Sequence, residues 1–115
     1  MNAIGILIDP DTRTITEVAV KGNYKVIYPL IDASTFTVAP VILDDEYTTD
    51  GIYVDDNGLF TPDKRVWESD LYPEPLVGKG LIMGTDDEGE SITPNIDIET
   101  VRRSVRWTNM VTIGG

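Results

Sequence analysis

The stretch AIGILIDPDTRTITEVAV, residues 3–20, decides the fold class. Residues 3–8 are apolar and rich in β-branched side chains, which predicts a buried strand. Residues 9–12, DPDT, predict a turn, because proline presets φ and an aspartate can accept a hydrogen bond from its own backbone. Residues 14–20, TITEVAV, alternate between apolar and polar, so we expect them to return as the second strand of a hairpin.

Further strands are predicted at 35–43 (TFTVAPVIL), 79–85 (KGLIMGT) and 109–113 (NMVTI). Pro40 places the first of these at a sheet edge or at a bulge, because proline cannot donate to a neighbouring strand. Residues 51–60, GIYVDDNGLF, predict a tight hairpin that turns at Asn57 and Gly58, two residues that tolerate positive φ. An exposed acidic turn is expected at residues 86–90.

Helices are expected at two places. Residues 97–107, DIETVRRSVRW, have an N-cap candidate in Asp97 and an apolar stripe on one face. Residues 24–32 have apolar residues at helical spacing but contain Pro29, so a short helix with Pro29 in or near its first turn is favoured over a strand. Residues 61–78 contain three prolines and predict a long ordered loop, with room for one helical turn.

These elements predict an α+β fold, a small and mostly antiparallel sheet with one or two helices, in a single domain spanning 1–115. So small a sheet is expected to have exposed edges, which makes a homodimer or larger oligomer plausible. No run of apolar residues is long enough to cross a membrane. The opening MNAIGILIDP lacks the features of a signal peptide, and we therefore expect a cytoplasmic protein without membrane contacts.

The amino-acid composition excludes several kinds of catalytic and metal-binding site. The 115 residues include no histidine and no cysteine. Histidine general bases, serine-histidine triads, thiolate chemistry and sulfur-ligated zinc are therefore excluded. Because histidine is the commonest general acid or base, we expect a protein that is not an enzyme and needs no cofactor.

The net charge is −11, and it is unevenly distributed along the chain. Residues 1–43 hold four acidic and three basic residues, and residues 44–99 hold sixteen acidic and three basic residues. Residues 100–115 hold three arginines and no acid. Such negative charge repels nucleic acid and anionic membranes, so a direct nucleic-acid contact is not expected.

The order of these pieces resembles a family of short proteins of unknown function that are carried by phages, plasmids and other mobile elements. The matching stretches cover most of the chain and are ILIDP with TRTITEV, GIYVDDNGLF, PLVGKGLIMGTDDEGE and ETVRRSVRW. Pro29 departs from the helix pattern of that family. The resemblance supplies no catalytic residues. It implies a small accessory protein acting against host defences or host enzymes, in the host cytoplasm if a phage encodes it.

Three acidic clusters are the first candidate site: Asp44, Asp45 and Glu46; Asp55 and Asp56; and Asp86, Asp87, Glu88 and Glu90. They fit solvated loops, a surface that mimics the charge of DNA, or a site for a hard cation. No EF-hand spacing is present, so no metal is assigned to them. Trp67 and Tyr72 either pack their segment onto the core or serve as exposed anchors for a partner.

The second candidate site lies in the last predicted helix, where Arg102 and Arg106 would share a face with Arg103 beside them. They fit either internal ion pairs or a clamp for an anionic ligand, with Trp107 stacking on a nucleobase.

The leading hypothesis is thus an acidic inhibitor or decoy that binds a host defence protein or a nucleic-acid-binding protein. The alternative is a protein that sequesters a small anionic ligand such as a signalling nucleotide. An enzyme that uses carboxylates and a metal is third.

Overall fold

The computed structural model describes residues 1–114, which form an α+β fold of nine strands and two α-helices. The strands are β1 (Asn2–Asp9), β2 (Thr14–Lys21), β3 (Phe36–Leu43), β4 (Glu46–Asp55), β5 (Arg65–Ser69), β6 (Tyr72–Val77), β7 (Gly80–Thr85), β8 (Ser91–Ile92) and β9 (Val105–Val111). The helices are α1 (Ile27–Leu30) and α2 (Ile98–Ser104), and 3₁₀ turns occupy Tyr24–Val26 and Gly58–Phe60. None of the described helices is long and apolar enough to span a membrane.

The strands form two antiparallel sheets. In the larger sheet, sheet A, the order is β2-β1-β7-β4-β3, and β8 pairs with the end of β7. Sheet B has the order β6-β5-β9. β7 lies between β1 and β4 and is apolar along most of its length, as expected of a central strand buried on both faces.

The main core lies between the two sheets. Isoleucines of sheet A, among them Ile8, Ile52 and Ile82, pack in one cluster with Trp67 of sheet B and Val101 of α2. On the other face of sheet A, a second cluster buries Ile27 and Ile31, from the segment around α1, against residues of β1, β2 and β7. Sheet A is thus covered on both faces, which explains why its strands carry more apolar residues than simple alternation requires.

Sheet edges differ in how they are protected. The backbone N–H of Ile42 in β3 donates to Leu71 between β5 and β6, at 2.9 Å, so the two sheets meet along that side. On the opposite side α2 packs against β2, and the Arg102 guanidinium donates to the carbonyl oxygen of Ile15 at 2.9 and 3.3 Å. Edge carbonyls of β2 are therefore partly satisfied within the chain.

Most predicted strands are confirmed. The hairpin at residues 3–20 is present as β1 and β2, paired from Asn2 with Lys21 to Asp9 with Thr14. β3 is an edge strand whose register shifts between Pro40 and Ile42, which confirms both readings of that proline. Residues 24–30 form the short helical segment predicted within residues 24–32.

The hairpin predicted within residues 51–60 is wrong. Asn57 has φ −104°, and its backbone N–H donates to the Asp55 side chain at 2.9 Å, so no positive-φ turn forms there. The chain instead leaves sheet A for sheet B, and a Cβ at Gly58 would lie 3.2 Å from the Val77 side chain. The two-residue hairpin lies earlier, at Asp44 and Asp45, between the paired residues Leu43 and Glu46.

The long loop predicted at residues 61–78 is also wrong, because most of that segment is the hairpin of β5 and β6. Pro73 and Pro75 have no backbone N–H to donate to a neighbouring strand. They do not prevent strand formation, because β6 is an edge strand with a neighbour on one side only. Trp67 pairs with Leu76 on one side and with Trp107 on the other. Trp107, the partner of Trp67 in β9, is forty residues away in the sequence.

The helix predicted at 97–107 is shorter than expected and ends at Ser104. Its N-cap is confirmed, because the Asp97 side chain accepts from the backbone N–H of Thr100 at 2.9 Å. Val105 to Trp107 belong to β9, where they pair with β5. Pairing with β5 and burial of Trp107 beside the core override the helical pattern of these residues.

Candidate interaction site: the acidic end of sheet A

A two-residue turn between β3 and β4 projects the first acidic cluster into solvent. Asp44 and Asp45 have φ of 52° and 64°, and the flanking Leu43 and Glu46 are paired. Positive φ at both central positions is the geometry of a tight hairpin turn, and aspartate tolerates it better than most residues. Asp44, Asp45 and Glu46 are all exposed.

The turn between β7 and β8 presents the second cluster. The Asp86 carboxylate accepts from the backbone N–H groups of Glu88 and Glu90, each at 2.9 Å, and Gly89 takes the positive φ of 83°. Asp86 therefore organises the turn, while Asp87, Glu88 and Glu90 are exposed.

Strand order brings these two turns to the same end of sheet A. β4 lies between β3 and β7, and Asp50 of β4 pairs with Gly84 at the end of β7. The β3–β4 turn and the β7–β8 turn thus leave the sheet in the same direction. We call this surface, with its seven carboxylates at residues 44–46 and 86–90, the acidic end.

The third cluster does not join them. Asp55 is at the far end of β4, nine residues from Glu46, which corresponds to roughly 30 Å along a strand. Asp55 is half-buried and its side chain accepts from the backbone of Asn57, whereas Asp56 is exposed. The three clusters do not form one continuous acidic face.

No carboxylate of the acidic end has a basic partner within the described residues. The ion pairs of residues 1–114 are made by Asp32, Glu68, Asp70 and Glu99, all outside the three clusters. Segments that form sheet A and α1, residues 1–56 and 78–96, hold fourteen acidic and four basic residues, net −10. Those that form sheet B and α2, residues 57–77 and 97–114, hold six acidic and five basic residues, net −1. The negative charge belongs to one half of the molecule.

Tyr47 is a candidate contact residue that the sequence analysis missed. Its side chain is 77% exposed beside Glu46, at the start of β4. An exposed tyrosine among carboxylates offers a partner apolar area together with a polar hydroxyl, as binding hot spots often do. The signal that could have identified it is an aromatic residue directly after a turn-forming acidic run.

Trp67 and Tyr72 are not available as exposed anchors. The Trp67 side chain is 0% exposed, and its indole N–H donates to the Gly78 carbonyl oxygen at 2.8 Å. A Cβ at Gly80 would lie 3.0 Å from the indole, so glycine permits the ring to approach β7 this closely. Tyr72 is half-buried and packs against the same cluster. Of the two readings, packing onto the core is correct for Trp67.

The arginines do not converge on a common point. Arg102 donates to Ile15 and to Glu99, and Arg103 donates to Thr100 at 3.3 Å. Arg106 lies on β9 and not on the helix, so it shares no helical face with Arg102, and its guanidinium pairs with Asp70 and Glu68. Trp107 is half-buried against the core. Each guanidinium therefore has an acceptor within the chain.

Two concave sites of the described chain are lined by other residues than these arginines. One open cavity of about 380 Å³ lies between the Met1 and Gly22 region and the β7–β8 turn, and is lined by Tyr24 and Glu90. A smaller one of about 160 Å³ lies near Asp55, Leu59 and Pro75. Within residues 1–114 no three carboxylates come together in a way that would hold a metal ion.

Lys79, the lysine of the glycine-flanked segment between β6 and β7, has an internal partner. Its ammonium lies 2.6 Å from the Asp32 carboxylate. The hydrogen bond with Asp32, reinforced by the charges of Asp32, Asp9 and Asp11, raises the pKa of Lys79 above its ordinary value of 10.5. Lys79 is thus an electrostatic contact between segments of the sheet-A half.

No family model, curated protein or solved structure matches this chain in the three comparisons. The resemblance to phage- and plasmid-borne proteins therefore stays a prediction from the residues quoted for it.

Proposed function

We propose that this protein acts by binding, as an acidic inhibitor or decoy that occupies the basic surface of a host protein, one that binds nucleic acid or takes part in defence. The acidic end makes the contact, with Asp44, Asp45 and Glu46 from one turn and Asp87 and Glu88 among those from the other. Tyr47 supplies an apolar anchor beside them. No bond is made or broken in this function.

The observation that carries the proposal is the set of carboxylates at the acidic end without basic partners in the described chain. A surface charge in an internal ion pair is already neutralised, whereas an unpaired charge keeps its full electrostatic attraction for a partner of opposite charge. Duplex DNA attracts proteins by closely spaced negative charge, and a rigid group of carboxylates attracts the same basic surfaces. The backbone conformation of both turns is fixed before binding, so binding costs little conformational entropy.

The alternative function, sequestration of a small anionic ligand, has weaker support. It needs guanidinium groups free to clamp the ligand, and Arg102, Arg103 and Arg106 each have an acceptor within the chain. A carboxylate–metal enzyme, the third hypothesis, has no grouped ligands to rest on among residues 1–114.

The test is capture of proteins from host lysate on the immobilised chain at low salt, with elution by duplex DNA. Binding of the eluted protein is then measured for a variant neutralised at the acidic end, D44N/D45N/D87N/E88Q. Asparagine is chosen at 44 and 45 because it tolerates the positive φ there. Four exposed charge contacts at roughly 0.5 kcal/mol each predict about thirtyfold weaker binding.

The matched control is D11N/E17Q/D56N/E74Q, which removes the same four charges from exposed positions elsewhere. It should retain most of the affinity, since it leaves the acidic end intact. Equal losses in the two variants would mean that overall charge and not this site determines binding. Unchanged binding by the D44N/D45N/D87N/E88Q variant would refute the proposal.

A further inference from the structure

The smaller of the two cavities lies between the edge strands of the two sheets, β3 and β6. The backbone N–H of Ile42 in β3 donates to Leu71 at 2.9 Å, so the two edges meet there. Toward the other end of β3, a cavity of about 160 Å³ is lined by Thr37 on one side and Pro75 on the other. Pockets for drug-sized ligands have roughly 300–1,000 Å³, so this cavity has room for little more than a single side chain.

The walls of this cavity combine apolar side chains with two acidic residues. The buried Val54 and Leu76 line it together with the exposed Leu59. Asp55 and Asp56 also line it, and neither takes part in the ion pairs found among residues 1–114. A long cationic side chain suits such walls, because its methylene groups contact apolar surface while its charged head pairs with a carboxylate.

The backbone of β3 beside the cavity has free hydrogen-bonding groups. The carbonyl oxygen of Thr35 accepts from the backbone N–H of Asp56 at 3.3 Å, so the backbone groups of Thr35 face β4. Because these groups alternate in direction along a strand, those of Phe36 and Val38 point away from β4. β3 is an edge strand, and no other backbone group of residues 1–114 bonds with Phe36 or Val38 on that side.

The cavity and the free backbone groups belong to one site. Thr37 pairs with Val54, which is part of the main core, so both residues lie on the face of sheet A that is turned toward sheet B. In a strand added antiparallel to β3, the residue opposite Thr37 projects from that same face, toward the cavity. Its two neighbours lie opposite Phe36 and Val38 and can bond with their backbone groups. Sheet edges bind extended peptides in this way, with main-chain hydrogen bonds for affinity and pockets for alternate side chains for specificity.

We propose that this site binds an extended peptide segment of a partner protein, which places a lysine or arginine side chain in the cavity and pairs antiparallel with Phe36 and Val38. Charge selects the side chain, because a cationic one is attracted by Asp55 and Asp56, a neutral one is not, and an acidic one is repelled. Asp55 is at the end of β4 opposite Glu46. The site is therefore separate from the acidic end, and the proposal does not depend on what the acidic end binds.

The test is a titration of the isotope-labelled chain with the capped peptide Ac-VTRTV-NH₂ to millimolar concentration, followed by the NMR shifts of the backbone amides. Valine and threonine favour the extended conformation, and alternation places the arginine on the face opposite the threonines. We expect the largest shifts at Phe36 and Val38 in β3 and at Val54 in the cavity. The peptide with norleucine in place of arginine should bind about fivefold more weakly, and the peptide with glutamate should not bind.

Variants of the chain test the role of the two carboxylates. D55N/D56N should weaken binding of the arginine peptide about fivefold and leave binding of the norleucine peptide unchanged. Asparagine at residue 55 keeps an oxygen that can accept from the backbone N–H of Asn57, as Asp55 does. The matched control D44N/D45N removes the same charge at the acidic end and should bind the arginine peptide almost as the wild type does. So should D44N/D45N/D87N/E88Q, whether or not the acidic end binds a host protein.

A proline tests the pairing with β3. Val38→Pro removes one donor of the free edge and none that faces β4, and Pro40 already occupies the next outward-facing position of the same strand. The variant should bind the arginine peptide about fivefold more weakly. Val38→Ala keeps the N–H and should bind almost as the wild type does, and far-ultraviolet circular dichroism checks the fold of both.

Three results would overturn the proposal. The first is the absence of shifts at millimolar arginine peptide, and the second is equal affinity for the arginine and norleucine peptides. The third is a folded Val38→Pro variant that binds as tightly as Val38→Ala.

Discussion

Asp50 is a buried carboxylate whose role is structural. Its two oxygens accept from the backbone N–H groups of Asn95 and Ile96, at 3.0 and 2.9 Å, and so tie the segment after β8 to sheet A. Gly84 makes room for this contact, because a Cβ there would lie 3.1 Å from the Asp50 carboxylate and 2.9 Å from the Thr93 carbonyl oxygen.

Replacement of Asp50 by alanine should lower the free energy of unfolding by about 3 kcal/mol, since it leaves two backbone donors without their acceptor. Asp50→Asn should lower the free energy of unfolding by less, because the amide oxygen of asparagine can still accept from one of these backbone N–H groups. Urea unfolding followed by tryptophan fluorescence measures both. Asp87→Ala, at an exposed position of the acidic end, serves as the control and should stay within about 0.5 kcal/mol of the wild type. Equal stability of Asp50→Ala and the control would contradict this role.

The N-cap of α2 makes stability depend on pH. Backbone and hydroxyl donors of Thr100 lower the pKa of the Asp97 carboxyl below its ordinary value of 3.8. A depressed pKa stabilises the folded state at pH values above 3.8, and that stabilisation is lost as the pH falls through the folded-state pKa. Asp97→Ala should therefore lower the thermal midpoint at pH 7, and the difference from wild type should shrink under acid. Asp97→Asn keeps an uncharged cap and should lack the pH-dependent part.

The β3–β4 turn is an element in which stability and the proposed binding function oppose each other. Its two positive-φ positions are occupied by aspartates, although asparagine followed by glycine is the preferred pair for this turn. The variant D44N/D45G should raise the free energy of unfolding by about 1 kcal/mol and weaken binding of the basic partner. Urea titration and the binding assay described above measure the two effects. A gain in stability with no loss of affinity would place the contact elsewhere.

Elements were predictable from sequence where local pattern and tertiary environment agree. β1, β2, β3 and β7 have the β-branched or alternating residues that strands need, and the pairing of β1 with β2 follows from the short turn between them. The prediction failed at residues 61–78, because pairing of Trp67 with Trp107 is a contact between distant parts of the chain. The predicted end of α2 was wrong for the same reason, because the residues after Ser104 pair with β5, which is distant in sequence. The acidic turns were predictable, but their grouping at one end depends on the order β7-β4-β3, which no local signal encodes.

At the scale of the whole molecule, most of the negative charge lies in one half of the chain. The sheet-A half carries net −10 and the sheet-B half net −1. The contacts proposed for the acidic end should therefore weaken with added salt, because salt screens the attraction between opposite charges.

The same charge asymmetry should reduce the stability of the fold at low ionic strength. Folding concentrates the carboxylates of the acidic end without basic partners, so their repulsion opposes the compact state until salt screens it. We expect the thermal midpoint to rise by several degrees between about 0.01 M and 0.1 M salt. The variant D44N/D45N/D87N/E88Q should have a higher midpoint at low salt and a smaller rise with added salt.

The control E68Q/D70N removes two carboxylates that pair with Arg106, and it should not raise the thermal midpoint because it removes attraction as well as negative charge. If E68Q/D70N stabilised the chain as much per charge removed as the D44N/D45N/D87N/E88Q variant does, the destabilising repulsion would be a property of total charge and not of the acidic end.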